Sequence, residues 1–117
     1  MAELCPAFLI EDFETAAREA DAAVRRLCQL ASNAASRMTA EHLIDGEPLG
    51  AWLHRQPDWQ QAQHAVQRQF RARAALEQTG LPLPADALAA AERAQADFAR
   101  LGISLTHHRI PDSRRQQ

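Results

Sequence analysis

The chain has no lysine and no tyrosine, and only four glycines and two cysteines among its 117 residues. Each scarcity closes off a class of protein. Cys5 and Cys28 lie far apart with no Cys-x-x-Cys spacing, so neither a disulfide scaffold nor a thiolate zinc site has material to build on. Four glycines leave little with which to shape a phosphate-cradling loop. Nucleophile-elbow, Walker, dinucleotide-binding and His-Glu-x-x-His patterns are absent as well. No stretch approaches the roughly 18 apolar residues of a membrane span. The apolar patch Ala7-Phe8-Leu9-Ile10 is too short for a secretory leader and is preceded by Glu3 rather than by positive charge. These features predict a reduced cytoplasmic setting with no membrane partner, no cofactor and no metal.

What the chain has in excess is alanine. There are 25 alanines against 27 residues of Val, Ile, Leu, Met, Phe and Trp together. Alanine has the highest helix propensity, and Leu, Gln, Glu and Arg fill most other positions, while Val and Ile number six in all. Helix is therefore the expected state throughout. The same count implies a thin core, because burial stabilises by about 25 cal/mol per Å² of apolar surface and a methyl group brings little of it. A small domain of this kind is expected to gain stability against a second copy or another protein. All 13 basic residues are arginine, which together with the alanine suggests a GC-rich bacterial genome.

Periodicity organises these residues. A first helix is expected to begin near Ile10 or Asp12, with Glu11, Asp12 and Glu14 placing negative charge at its N-terminal end. From there Phe13, Ala17, Ala20, Val24, Leu27, Ala31, Ala34 and Met38 alternate at spacings of four and three, the stripe of a coiled coil or a bundle helix. Thr39 to Ile44 reads as a short helical turn ended by Asp45-Gly46. Pro48 suits the start of a short helix from Leu49 to Gln56 in which Leu49, Trp52 and Leu53 share a face. A long helix then runs from about Asp58 to Gln78, with Trp59, Ala62, Val66, Phe70 and Ala74 inward and Gly80 as its cap. After the stiff connector Leu81-Pro82-Leu83-Pro84, a last helix places Ala87, Ala91, Ala94, Phe98 and Leu101 on one side. Gly102 is expected to end it, leaving a short extended piece from Ile103 and a polar tail. The predicted fold is all-α: a small helical bundle of three long helices plus one or two short ones, with a coiled-coil-like Ala-rich seam. One domain is expected over residues 1–103 and a flexible polar tail over 104–117.

Three groups of residues could carry function. The first is the seam itself, where Phe13, Ala17, Ala20, Val24 and Leu27 could meet either their own chain or a partner; periodicity does not separate the two. Trp52 and Trp59 join this group as candidate interface anchors, although each also falls on the apolar side of its helix.

The second group is basic. His64, Arg68 and Arg71 fall at i, i+4 and i+7, with Arg55 and Arg73 nearby and Arg114 and Arg115 in the tail, a row that could contact phosphates. The opposing reading is a solvated face, or one paired with the acidic first helix, where Glu3, Glu11, Asp12, Glu14, Glu19 and Asp21 stand against Arg18 alone. The formal charge of −2 lacks the basic footprint of a nucleic-acid binder. The third group is His42, His54, His64, His107 and His108 with the two cysteines, whose spacings do not match a metal site.

The function expected from these features is a non-catalytic protein-interaction module, a homodimeric adaptor or an accessory or inhibitory subunit acting through helix contacts. A nucleic-acid-binding accessory protein and a metal- or small-molecule-binding helical enzyme are the alternatives. No catalytic residue stands out.

Overall fold

Alanine and straight-chain residues dictate the local structure, and the computed structural model of the chain is mostly helical, with four helices and a minor two-stranded sheet. It describes residues 6–109, with side chains through residue 102. The elements in order are α1 (Pro6–Ala35), β1 (Leu43–Ile44), β2 (Glu47–Pro48), α2 (Leu49–His54), α3 (Pro57–Glu77) and α4 (Ala85–Arg109).

The 30 residues of α1 span about 45 Å at the α-helical rise, and both α3 and α4 pack along it. Leu9 of α1 shares a cluster with Leu76 of α3, and Ala20 and Val24 share another with Ala62 and Val66, so α3 runs antiparallel to α1. Asp21 of α1 pairs with Arg93 of α4 at 2.9 Å, and Cys28 lies beside Leu101, so α4 runs parallel to it. Two neighbours explain why the buried face of α1 is wider than one stripe. Seven of the eight stripe positions expected from the sequence are buried, and Leu9, Ala16 and Ala23 are buried beside them. Met38, the eighth, lies beyond the helix and is half-buried against the same core.

The element boundaries depart from the sequence reading in four places. Helix α1 begins at Pro6, a residue preorganised for a first helical position, so Glu11, Asp12 and Glu14 fall in later turns and not at the N-terminal end. It ends at Ala35, three residues before Met38. The expected helical turn over Thr39 to Ile44 is instead a turn leading into a β-hairpin, Leu43 opposite Pro48 and Ile44 opposite Glu47. Asp45 and Gly46 both have positive φ, 50° and 81°, the geometry of the tightest two-residue hairpin. Gly102 does not stop α4, which continues to Arg109 in place of the expected extended piece. One glycine costs a helix about 1 kcal/mol relative to alanine, too little to end a run this rich in helix formers.

The inward face of α3 also differs. Its buried residues are Ala62, Val66, Gln69, Ala72 and Leu76, whereas Phe70 is 46% exposed and Ala74 is exposed. Arg73 completes the spacing 62, 66, 69, 73, 76 as a half-buried member, so two polar residues stand in the stripe and an aromatic stands outside it.

The core is thin, as the composition requires. Among the described residues the buried apolar set contains twelve alanines, and Phe13, Leu27, Leu53, Leu76 and Val24 are its largest fully buried apolar members. Each of those five contributes about 1.5–3 kcal/mol through burial, and an alanine far less.

Candidate protein-interaction surface

The residues of the first candidate group are turned inward. Phe13, Ala17, Ala20 and Leu27 have no exposed surface and Val24 has 1%, all packed within the chain.

The tryptophans sit at the end of the molecule where α1 gives way to the hairpin. Trp52 on α2 is buried, and its indole Nε1 donates to Asp45 Oδ2 at 3.1 Å, fastening the hairpin turn to the helix. The Arg37 guanidinium lies 6.0 Å from the Trp52 ring centre, at the outer reach of a cation–π contact. Trp59 at the start of α3 is half-buried and stands between two rings, His54 at 4.1 Å and Phe98 of α4 at 5.1 Å, both tilted by about 40°. His54 Nδ1 lies 2.7 Å from the Gly50 carbonyl oxygen and donates to it.

Helices α3 and α4 pack far more on α1 than on each other. They meet through long side chains, the Trp59–Phe98 ring contact and the approach of Arg73 Nη1 to Glu92 Oε2 at 4.0 Å. One turn before Arg73 on the same flank stands the half-exposed Phe70, and one turn before Glu92 stands the half-buried Leu88. Trp59 and Phe70 of α3 and Leu88 and Phe98 of α4 flank the groove that these two neighbouring helices leave between them.

The arginines of the second group mostly meet carboxylates. Arg68 donates to Asp12 at 3.1 Å and also to Glu19, tying α3 to the acidic side of α1. Arg73 pairs with Glu77 at 3.2 Å, and Arg55, just past the end of α2, pairs with Glu47 of the hairpin. Among the described residues, Arg71 and His64 remain on the exposed side of α3 with no carboxylate partner. Arg114 and Arg115 lie outside the described residues, as do Cys5 and the side chains of His107 and His108.

Two openings lie on the described surface. A cleft of about 220 Å³ between α1 and α4 is lined by Cys28, Asp97, Arg100 and Leu101. Burial pushes the Cys28 thiol pKa above its ordinary value, and the nearby Arg100 charge pulls it partly back. A smaller one of about 60 Å³ is lined by Met38, His42, Pro48 and Leu49 beside the hairpin. Among the described residues no group of three His, Cys, Asp or Glu side chains converges as a metal site requires, and no helix is long and apolar enough to cross a membrane.

Two features of the surface escaped the sequence reading. The α3–α4 groove depends on Phe70 pointing outward, for which the only signal was that the spacing 62, 66, 69, 73, 76 is an unbroken heptad once polar residues are allowed in it. The hairpin had a plainer sign in Asp45-Gly46 between Leu43-Ile44 and Glu47. Compared with protein-family models, curated proteins and solved structures, the chain matches none.

Proposed function

We propose that the chain is a non-catalytic protein-interaction module: a bundle of the three long helices α1, α3 and α4 that works as a homodimer, with a second copy seated in the α3–α4 groove. The observation that carries this reading is Phe70. It is 46% exposed on the flank of α3 that faces α4, while alanines fill the interior. A ring of that size left in water forgoes most of the stabilisation its burial would bring, and a groove between two helices is the shape into which another helix packs. Arg73 on α3 and Glu92 on α4 bring both signs to this seam, so a copy related by a two-fold axis that sets α3 over α4 meets opposite charge on each side. The coiled-coil-like seam of α1 serves the interior in this reading, and the contact between copies moves to the groove. A cytoplasmic setting belongs to the same proposal and rests on the unpaired Cys28 thiol.

Molecular mass in solution tests it, measured by light scattering from micromolar to near-millimolar chain. The expected result is a dimer that Phe70→Asp converts into a monomer with unchanged helical circular dichroism. A wild-type chain that stays monomeric over the whole range overturns the homodimer.

A further inference from the structure

Gln69 is the one polar residue in the buried core among the described residues, with no exposed surface, and neither its Nε2 nor its Oε1 has a hydrogen-bonding partner in the chain. It sits where the core divides. On one side lies the cluster of Ala20, Val24, Ala62, Val66 and Ala94; on the other lies the cluster of Phe13, Ala17, Ala72, Leu76 and Ala91. On each of the three long helices the break between clusters falls at the same level, after Ala17, between Val66 and Ala72, and after Ala91. The side chains bordering that level on α1 and α4 are methyl groups, which fill little of the space between the helices. A second orphan is close in register. On α4 the break between the clusters lies between Ala91 and Ala94, next to Gln95. The Oε1 of Gln95 is likewise buried without a partner.

A buried carboxamide offers two N–H donors and an acceptor with two lone pairs, and native interiors satisfy such groups with protein or with ordered water. The helix backbones around Gln69 have their own partners, and alanine has nothing to offer. We propose that the layer between the two apolar clusters is an internal water-binding site. One or two long-lived water molecules are held there by Gln69 Nε2 and Oε1, with Gln95 Oε1 as the acceptor on α4. Water suits the site because it donates and accepts, fits beside methyl groups, and needs only two to four polar contacts. The site divides the core into two dry halves separated by a wet layer. It does not depend on the homodimer, because it lies inside one chain.

The test uses the full-length ¹⁵N-labelled chain and magnetisation transfer between water and the Gln69 side-chain amide. The amide resonances are assigned by their loss in Gln69→Leu. The expected result is a rotating-frame cross-peak from the Gln69 NH₂ protons to water whose sign reports a bound molecule and not proton exchange, and which persists in dilute monomeric protein. Weakening of that cross-peak in Gln95→Ala would place the second acceptor. If the wild-type Gln69 amide shows no dipolar contact with water, the carboxamide is satisfied by protein and the proposal fails. That outcome leaves the solution-mass result untouched, so the two readings fail separately.

Discussion

Cys28 shows how much of this protein depends on where α4 lies. Its thiol faces the cleft beside Leu101, and burial raises its pKa while the Arg100 charge opposes the rise. A thiol that holds its proton more tightly in the fold than in the unfolded chain contributes stability below the unfolded thiol pKa. That contribution is lost as pH rises through the folded value. In a Cys5→Ser chain, the urea midpoint is therefore expected to fall from about pH 8.5 upward, and the additional change Cys28→Ala should remove that slope. Native Cys28 should also be alkylated more slowly at pH 8 than the same residue in urea, because the thiolate is the nucleophile. Equal rates would place the thiol in open solvent. At the opposite extreme of burial, Leu27→Ala leaves a void in the cluster that Leu27 shares with Val24, Trp52, Leu53 and Val66. Denaturant titration should show a loss of about 2–5 kcal/mol, and a loss below about 1 kcal/mol would mean that the helices close over the gap.

At the scale of elements, the hairpin between α1 and α2 is held by its turn. Gly46 sits at φ +81° with open space around it, so Gly46→Ala meets no clash, only the left-handed backbone penalty of about 1–2 kcal/mol. Gly46→Asn should cost less, because asparagine tolerates that region. Thermal melts of the two variants check the order, and a larger loss for Asn would show that φ is not what the position selects. The ion pairs between helices are weaker features. Arg68→Ala breaks contacts to Asp12 and Glu19 on a partly exposed face, and is expected to cost no more than about 1 kcal/mol, less at high salt.

These elements were unequally legible. The α1 stripe could be read directly, because its small residues recur at spacings of four and three and only their own chain was needed to cover them. The start of α3, expected near Asp58 and found at Pro57, was legible for the same local reason. The face of α3 was not. Hydrophobicity alone ranks Phe70 inward and Gln69 outward, whereas the register that packs Ala62, Val66 and Leu76 against α1 turns position 69 in and position 70 out. Tertiary packing decided the side, at the cost of burying a carboxamide. The hairpin was hidden by the helical propensity of the residues before it. The groove was invisible for a deeper reason, since it exists only where two helices that are apart in sequence fail to pack closely.

For the molecule as a whole, the distribution of charge bears on what it would attract. The basic row that looked like a phosphate-contacting face is largely spent on the chain itself: Arg68 on α1, Arg73 on Glu77 and Glu92, Arg55 on Glu47. Freeing such an arginine for a phosphate means giving up a carboxylate contact, and the released carboxylate then repels the polyanion. Arg71 is the remaining arginine of that row on the described surface, with His64 on the same exposed side. Affinity for double-stranded DNA falls with salt at a log–log slope of about −0.9 for each phosphate neutralised. With one or two phosphates engaged, the slope should be no steeper than about −2, and binding should be undetectable near physiological salt. Fluorescence anisotropy with a labelled duplex from 20 to 200 mM salt measures this. A slope of −4 or steeper that persists when Arg114 and Arg115 are both changed to Ala would require Arg55, Arg68 and Arg73 to abandon their carboxylates together. It would restore the phosphate-binding face and make the acidic side of α1 its competitor, in which case Asp12→Asn and Glu19→Gln should strengthen binding.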